Sequence, residues 1–510
     1  MLHEFYVLKM DGLELVMETK KQIRFEKVLF IIPDLQWENG YPSYPHPGIG
    51  YMAELLEQHG IKCMVLDMTL GYKFANLVKT IRNFNPDLIG LSLYTYRYRR
   101  AYELISRIKR VTEKPIVIGG PHVSLWGNRC LEESAADLGV RFEGENPLLE
   151  LCLNEPLSSI QNLIYRDNGQ VKENTVRPFN TDLDALPFPK FSSFELTKYA
   201  EKSIGIISSR GCPFACTFCT VKTTMGRNFR ARNPETVISE LKYWYDRGYR
   251  HFHVNDDTFN ADTKRVYQIC DLIEKENLVN VRFSAWQGMR LDKVDRKFLE
   301  RLKSVGFYSL AFGVESYNNE ILRSIKKGET TEQIDEGVKI ACELGYFVML
   351  FFILGFPGET WEQVQNSLNF SLKYPVGAAA FFNTVPYPGT ELFDSLQAEH
   401  LILADPTVYL NENVNTNNKR MLFESHAMTV QQRLKVRELG ERFERKVSQK
   451  HLERQLSSLG ISGKLLAWFI CTRFARRSRL YLEHYGIPRK TRFVMMKFFK
   501  FNEASKKASV

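Results

Sequence analysis

Long apolar segments are missing from this chain of 510 residues. The longest apolar run, residues 348–356, is far shorter than the roughly 20 residues that a membrane-spanning helix needs. The first 26 residues carry charges throughout, so the apolar core of a secretory signal peptide is missing as well. We therefore expect a soluble protein of the cytoplasm, with the apolar run forming a buried strand of a parallel sheet.

Cysteine is scarce and unevenly placed. The chain has 9 cysteines, an odd number, and three of them lie within one short stretch. This distribution argues against the disulfide framework of a secreted protein and favours a reducing compartment. Low-complexity tracts and close internal repeats are also absent from the sequence.

The net positive charge comes from one end of the chain. The net charge is +10, yet residues 431–510 hold 20 Lys and Arg against 6 Asp and Glu, a local charge of +14. The other 430 residues therefore carry −4. The basic character belongs to the C-terminal segment and not to the body of the protein.

The cysteine cluster is the most specific chemical signal. Cys212, Cys216 and Cys219 follow a C-x-x-x-C-x-x-C spacing, and the next cysteine is Cys270. Thiolates select iron–sulfur clusters or zinc, but a structural zinc site wants four ligands. Three thiolates on one loop suit a cubane cluster that keeps one iron open. The alternatives are a zinc loop or buried structural thiols.

Strands alternate with helices along the first third of the chain. Strands are predicted at 27–33, 62–67, 87–92 and 115–120, with helices at 48–59 and 102–110. This rhythm is typical of a doubly wound parallel sheet, in which ligands bind beyond the carboxyl ends of the strands. The candidate binding residues at those ends are Asp67, Ser92, Gly119 and Gly120.

A second strand–helix series occupies residues 196–400, with a helix at 234–247. The predicted strands are 204–208, 250–254, 281–285, 307–314, 347–354 and 378–384. We expect a parallel β/α barrel with function at the carboxyl ends of its strands. The predicted domains are an N-terminal extension (1–25), a first α/β domain (26–155), a proline-containing connector (156–195), the barrel (196–400) and a mainly helical basic segment (401–510).

The cysteine motif resembles that of the radical SAM family, in which S-adenosylmethionine (SAM) chelates the open iron of a 4Fe–4S cluster. Further ordered matches are Asn255–Phe259, Gly313–Ser316, Gly355–Thr360 and Pro386–Thr390. The resemblance implies a partial six-stranded barrel, three cysteine ligands to iron, and SAM contacts from Phe218, Asp256, Asp257, Arg290, Glu315 and Gly355. Alternatives are simple packing for Phe218 and helix capping for the two aspartates. The alternative for Glu359 is the start of a helix, where the helix dipole favours an acid.

Residues 26–155 resemble the cobalamin-binding domain that often precedes such a barrel. The matching pieces are Pro47–Tyr51, Asp87–Ser92, Gly119–Ser124 and Gly144–Glu145. Some cobalamin proteins carry Asp-x-His-x-x-Gly, whose His binds cobalt, but here Thr69 stands at that position. The resemblance therefore implies cobalamin binding without this His, and we expect His122 to be structural.

Taken together, the resemblances imply an enzyme that uses a 4Fe–4S cluster, SAM and cobalamin to functionalise an unactivated carbon, with C-methylation as the leading reaction. One alternative is an oxidative cyclase or rearrangement enzyme like the anaerobic tetrapyrrole cyclases. A non-enzymatic alternative is a cobalamin or redox sensor. The resemblance also implies a small-molecule or lipid-like substrate and an external electron donor of the flavodoxin or ferredoxin type.

The basic C-terminal segment matches no module that we recognise. Its stretches 464–470 and 492–500 interleave aromatic and basic residues, which suits a helix lying on an anionic membrane surface. The alternatives are helices packed on the barrel and RNA binding, although we do not expect a nucleic-acid partner. Residues 94–100 form a second aromatic–basic run that either contacts a ligand or enters a helix from solvent.

Overall fold

The computed structural model describes residues 24–34, 42–411 and 420–472. The predicted N-terminal extension, apart from its last two residues, lies outside this part of the chain, as does the tail beyond residue 472. The structure confirms the predicted α/β architecture, with a doubly wound sheet, a six-stranded barrel and a helical C-terminal segment.

The first sheet has seven strands in the order β2-β1-β3-β4-β5-β6-β7, and the pairs up to β5 are parallel. The strands are β1 (Lys27–Ile32), β2 (Lys62–Asp67), β3 (Leu88–Ser92), β4 (Ile116–Gly119), β5 (Leu138–Val140), β6 (Leu163–Asp167) and β7 (Gln170–Glu173). Its helices are α1 (Pro47–Gln58), α2 (Phe74–Phe84), α3 (Tyr98–Lys109), α4 (Pro121–Trp126), α5 (Arg129–Glu132) and α6 (Glu145–Cys152).

The hairpin β6–β7 differs from our expectation of a connector over residues 156–195. The hairpin adds two antiparallel strands to the sheet, and Leu163 and Ile164 are fully buried. Its turn holds Asn168 and Gly169 at φ of 49° and 82°. Because both turn residues need positive φ, Asn-Gly is a strong hairpin signal, and here it was present in the sequence but overlooked.

The barrel sheet is fully parallel, in the order β15-β14-β13-β12-β11-β8. Its strands are β8 (Ser203–Ile206), β11 (His251–Val254), β12 (Arg282–Met289), β13 (Phe307–Glu315), β14 (Phe347–Leu354) and β15 (Ala378–Asn383). A small ribbon of β9 (Ser209–Arg210) and β10 (Arg230–Ala231) flanks the cysteine loop. The helices are α7 (Val221–Thr224), α8 (Pro234–Asp246), α9 (Thr263–Lys275), α10 (Arg296–Ser304), α11 (Asn319–Ser324), α12 (Thr331–Glu343), α13 (Trp361–Phe370) and α14 (Glu391–Ala398).

Strand β14 shows that the barrel has a hollow interior. We expected this run to be buried throughout, but burial alternates: Val348, Leu350, Phe352 and Leu354 are buried, and the residues between them are half-buried. Successive strand residues point to opposite faces. One face of β14 therefore packs on helices, and the other lines an accessible lumen.

Both edges of the open barrel are covered. Tyr44, from the first domain, lies over β8, where a Cβ at Gly205 would come within 2.8 Å of its ring. At the other edge, the long helix α16 (Val430–Gln455) packs on β15, and Gly440 gives it close access to Phe381. Glu444 of α16 accepts the backbone N–H of Phe381 at 2.9 Å. The Glu444 bond satisfies a backbone N–H of an edge strand that would otherwise invite pairing with another chain.

The C-terminal segment continues with α15 (Pro406–Tyr409) before α16 and α17 (Gly460–Ile470) after it. Among residues 24–34, 42–411 and 420–472, no helix has the length and hydropathy needed to cross a bilayer.

Buried ion pairs join the first domain to the barrel. Arg210, beside the cysteine loop, donates to Glu143 at 3.0 Å and to Glu145 at 2.7 Å. Arg230, on the paired strand β10, donates to the same Glu143 at 2.7 Å. Helix α4 of the first domain also contacts α7, which follows the cysteine loop. The carboxyl edge of the first sheet therefore meets the cysteine loop of the barrel.

Candidate functional site

The three cysteines share one loop between β9 and α7, and all three are half-buried. The loop begins at Gly211, whose φ is 81° and whose missing Cβ would lie 2.4 Å from the carbonyl oxygen of Asn228. The N–H of Gly211 donates to Asp257 Oδ2 at 2.8 Å. Burial raises the pKa of the Cys219 thiol to about 12. The other cysteines of the described residues are spread through the cores or lie on distant helices.

The turn after β11 fixes the cysteine loop. The Thr258 hydroxyl lies 3.2 Å from Cys212 Sγ and 2.7 Å from the Asp257 carbonyl oxygen, and either atom can accept its single proton. Asp257 holds Gly211, and burial raises the pKa of its carboxyl.

Asp256 does not stand where we expected a SAM contact. Its carboxylate is buried and accepts three hydrogen bonds, from Ser208 N at 2.6 Å, Ser208 Oγ at 2.5 Å and Ser209 Oγ at 2.7 Å. These bonds brace the entry to the cysteine loop, and they come from the protein and not from a ligand. The residue is a positioning group.

Arg290 differs from expectation in the same way. It is buried, and its guanidinium donates to Asp292 at 2.7 Å, to the Lys327 carbonyl at 2.7 Å and to the Gly328 carbonyl at 3.1 Å. Its plane also lies 3.6 Å from the ring centre of Phe214, inside the cysteine loop. We expected Arg290 to pair in a bidentate way with a ligand carboxylate. Its guanidinium nitrogens instead donate to groups of the protein, so they are not available for that pairing.

A buried ion pair ends strand β13. Glu315 adopts φ of 60°, an uncommon value for a residue with a side chain, and accepts from Lys327 Nζ at 3.1 Å. Burial raises the pKa of the Cys216 thiol, and the nearby Lys327 ammonium opposes this rise. Backbone held in such a conformation concentrates at functional sites. Lys327 was not anticipated from the sequence, where it is one lysine among many.

The loop after β14 provides open space. Gly355 has φ of 81°, and a Cβ there would meet nothing within 4 Å. Its N–H donates to Glu359 Oε2 at 2.6 Å, and Ser316 donates to Glu359 Oε1 at 3.1 Å. Burial raises the pKa of Glu359 to about 7. Phe218, in the cysteine loop, packs on Phe356 with ring centres 5.6 Å apart.

In the first domain, Ser92, Gly119 and Gly120 meet at the carboxyl edge. Gly120 has φ of 92°, and a Cβ there would lie 2.8 Å from the Leu93 carbonyl and 2.9 Å from Ser92 Oγ. A side chain at position 120 would clash with the backbone of Leu93, so only glycine fits there.

Asp67 lies at the carboxyl end of β2, but both oxygens of its carboxylate already accept hydrogen bonds from the protein. It is buried, one carboxylate oxygen accepts from Thr69 N at 3.0 Å and Thr69 Oγ1 at 2.5 Å, and the other accepts from Tyr199 at 2.9 Å. Asp67 therefore caps the turn that carries Thr69 and ties it to the segment before β8.

His122 is a core residue. It is fully buried, stacks on Tyr98 with ring centres 4.3 Å apart, and shares a hydrogen bond of 2.8 Å with Tyr102. Burial lowers its pKa to about 3. A side chain enclosed in this way does not reach a cofactor at the sheet edge.

The residues of the aromatic–basic run at 94–100 lie in two different environments, the core and a partly exposed edge. Tyr98 begins α3 and is buried in the core, and Arg99 N donates to Asn411 at 2.8 Å. Tyr94, by contrast, follows β3 at the carboxyl edge of the first sheet and is 45% exposed. Tyr94 bonds His46 at 3.1 Å, and burial lowers the pKa of His46 to about 4. Tyr387 is half-buried, and burial raises its pKa to about 12.

The barrel lumen is partly aromatic. Trp286 is 45% exposed, with its ring nitrogen donating to Ser309 at 2.6 Å. Half-buried Phe351 and Phe382 lie on neighbouring strands with ring centres 6.2 Å apart. These rings give the lumen a surface suited to a small organic ligand.

Two family models match the chain. The Radical SAM superfamily model matches residues 206–371, and the B12 binding domain model matches residues 40–152. The matched ranges take in the cysteine loop and the glycines of the first sheet.

Three curated relatives resemble most of the chain. A methyltransferase of Pyrococcus horikoshii is 32% identical over 370 residues, which are 70% of this chain and 80% of that protein. A cytidylyl-2-hydroxyethylphosphonate methyltransferase of Streptomyces wedmorensis is 25% identical over 76% of this chain and 84% of its own length. An anaerobic magnesium-protoporphyrin IX monomethyl ester cyclase of Cereibacter sphaeroides is 23% identical over 70% of this chain and 61% of its own length.

A solved structure has the same fold. The cobalamin-dependent SAM radical enzyme OxsB, with aqua-cobalamin and SAM bound, superposes with a TM-score of 0.66 at 18% identity. The match covers 94% of this chain and 75% of that one.

Proposed function

Because the chain belongs to the radical SAM superfamily and carries a B12-binding domain before its barrel, we propose that it methylates an unactivated carbon of a small-molecule substrate. The observation that carries this proposal is the contact of α4, at the carboxyl edge of the first sheet, with α7, directly after the cysteine loop. Two cofactors held at these two places would face one another across the domain boundary.

The cysteine loop fits an iron–sulfur cluster. Cys212, Cys216 and Cys219 are half-buried and unpaired in disulfides, and the Lys327 ammonium opposes the burial that raises the pKa of the Cys216 thiol. Three such ligands with no fourth on the loop would hold a 4Fe–4S cluster that keeps one iron for SAM.

The first domain fits cobalamin. Gly119 and Gly120 let the backbone approach a ligand closely, and the partly exposed Tyr94 follows β3 at the same edge of the sheet. Thr69 is bonded to Asp67 at the position where a cobalt-ligating His would stand. We propose that Ser92, Gly119 and Gly120 contact the cofactor and that no protein His at this position binds its cobalt.

When bound, the cluster, SAM and cobalamin supply radical generation and a methyl carrier. The chain's own residues position these groups. Glu315, fixed by Lys327, would accept ribose hydroxyls of SAM, and the space at Gly355 would admit its adenosine, with Phe218 alongside. Asp257 and Asp256 hold the cysteine loop in place. The aromatic lumen would keep water from the substrate.

Oxidative cyclisation is the second candidate reaction, favoured by the similarity to the cyclase of Cereibacter sphaeroides. Both reactions use the same cofactors. An external electron donor of the flavodoxin or ferredoxin type is part of either proposal.

We also propose a cytoplasmic location with peripheral membrane contact. It is supported by an exposed apolar face of α17, on which Ile461, Leu465 and Trp468 are 79%, 64% and 57% exposed. These positions share one face of a helix, and four arginines follow between residues 473 and 479. A membrane-facing enzyme would suit a lipid-like substrate.

Isotope transfer tests the reaction. Reconstituted protein is incubated anaerobically with a reductant, SAM carrying a deuterated methyl group, and extract from a strain lacking the protein. A metabolite that gains the labelled methyl group supports methylation, and its absence with the Cys216→Ala variant ties the gain to the cluster. Release of 5′-deoxyadenosine with an oxidised, unmethylated product would instead support cyclisation. Absence of both would overturn the proposal.

A further inference from the structure

Two histidines on β11 point into the barrel lumen, one at the start of the strand and one near its carboxyl end. Phe252 is fully buried and stacks on Phe283, so it faces the helices. His251 and His253, on either side of it, therefore share the lumen face. His251 is the first residue of the strand, about 10 Å below its carboxyl end at a rise of roughly 3.3 Å per residue.

A carboxylate completes the group. Glu201 lies just before β8, the strand paired with β11, and its Oε2 is 3.0 Å from His251 Nδ1. One potential ligand atom from each of Glu201, His251 and His253 lies within 4.8 Å of the other two. Residues 50 positions apart in the chain are thus brought to one point by strand pairing.

His253 is the observation that points to a ligand. It is almost fully buried, its Nδ1 bonds Ser284 Oγ at 2.7 Å, and its Nε2 has no hydrogen-bond partner. A buried polar atom without a partner is uncommon and calls for an explanation. A metal ion at this nitrogen would provide one.

The surroundings are those of a metal site. Ligating histidines usually engage their second ring nitrogen with an outer partner, which fixes the ring. Ser284 does this for His253, and Tyr308 contacts His251 Nε2 at 2.9 Å. Tyr44 stacks on His253 with ring centres 4.5 Å apart and closes one side.

We propose that Glu201, His251 and His253 bind a divalent transition-metal ion, with Zn²⁺ as the best match. Two imidazoles and one carboxylate form a zinc ligand set with a fourth position left for water. The ion would tie the segment before β8 to β11 and so stabilise the edge of the barrel that the first domain covers. Its ligands are distinct from the three cysteines of the loop, and the ring of His253 lies 6.1 Å from that of Trp286 in the lumen.

Zinc content and X-ray absorption test the site. Full-length protein with its cluster and cobalamin reconstituted is equilibrated with Zn²⁺ and passed over a chelating resin. We expect one retained zinc per chain, with only nitrogen and oxygen neighbours at about 2.0–2.2 Å. Sulfur neighbours at about 2.3 Å would place the zinc on the cysteine loop and overturn the proposal.

Variants locate the ion. Glu201→Gln keeps the size of a partly exposed side chain, and His253→Ala removes the unpartnered nitrogen; both should lose the zinc. His59→Ala, an exposed histidine at the end of α1, should retain it. Iron content shows whether each variant is folded. No zinc retained by the unmodified protein, or equal zinc in the Glu201→Gln variant, would show that the three residues form only a hydrogen-bonded cluster.

Discussion

At the scale of single residues, burial changes the pKa of an acidic side chain. Glu359 is fully buried and is held by the N–H groups of Gly355 and Phe356. Burial raises its pKa from 4.5 to about 7, so the folded protein binds this proton more tightly than the unfolded chain does. By linkage, stability is then lost as the pH rises from about 4.5 to 7.

This shift gives a pH prediction. The free energy of unfolding of the unmodified protein, relative to that of Glu359→Gln, should fall by about 2–3 kcal/mol between pH 5 and pH 8. Urea denaturation at the two pH values measures the difference. Glu362→Gln, an exposed neighbour in the first turn of α13, should show no such trend. A constant difference for Glu359→Gln would mean that its carboxyl titrates normally.

The cysteines provide a second test at this scale. Cys216→Ala should lose most of its iron and sulfide and all SAM cleavage, because a missing thiolate removes one iron ligand. Cys342 is also half-buried but lies on α12, away from the loop, so the Cys342→Ala variant should keep its cluster and its SAM cleavage. Iron and sulfide assays and the release of 5′-deoxyadenosine measure the effects. Full activity of the Cys216→Ala protein would exclude the cluster at this loop.

At the scale of elements, the two C-terminal helices differ in what covers them. Helix α16 packs along β15, whereas α17 leaves Ile461, Leu465 and Trp468 exposed. Many of the basic and aromatic residues of the predicted anchor, including Phe493, Phe498 and Phe499, lie outside the described residues. The membrane interpretation therefore depends, within the structure, on the apolar face of α17.

We predict that the protein sediments with anionic phospholipid vesicles. High salt should release part of it, because charge attraction is screened beyond about 8–10 Å, and the apolar face should hold the rest. Ile461→Ser combined with Trp468→Ser should weaken binding without unfolding, whereas Val279→Ser, another exposed apolar residue, should not.

Truncation separates the alternatives. Removing residues 461–510 should abolish vesicle binding and leave the iron content unchanged. A truncated protein that is insoluble would instead show that this segment covers the barrel. Strong sedimentation of the truncated protein would eliminate the anchor and the inference of a lipid-like substrate.

At the scale of the whole molecule, the site depends on how two domains are joined. Arg210 links Glu143 and Glu145 of the first domain to the strand that leads into the cysteine loop, and all three side chains are nearly buried. Breaking a buried pair leaves an uncompensated charge, which costs about 3–5 kcal/mol. The same contact would hold the two proposed cofactor sites at a fixed distance and orientation.

Arg210→Met should therefore lower the free energy of unfolding by about 3–5 kcal/mol and reduce the retained cobalamin. Arg129→Met, which removes an exposed pair with Glu133, should change stability by less than about 1 kcal/mol. Denaturation followed by fluorescence and cobalamin absorbance measures both. An Arg210→Met protein with unchanged stability would show that other contacts hold the domains together.

Local patterns predicted most of the framework. The strand at 347–354 was predicted with its observed bounds because an apolar run is enclosed by glycines at 345 and 355. The cysteine loop was predicted from spacing within eight residues. The hairpin β6–β7 carried an equally local signal, the Asn-Gly turn, which was passed over.

The roles of individual polar residues were less predictable. Aspartate and arginine at strand ends suit ligands and internal networks equally well, and Asp67, Asp256 and Arg290 turned out to be occupied by the fold.

The sequence by itself determined the order of strands and helices and the three-cysteine loop, because these follow from the spacing of neighbouring residues. Only the tertiary structure decided which charges meet. Lys327, in the loop after α11, approaches Glu315 and Cys216, and the pairing of β8 with β11 brings Glu201 to His251 and His253. Electrostatic and metal-binding interactions depend on distances in space, and separation along the chain does not reveal them.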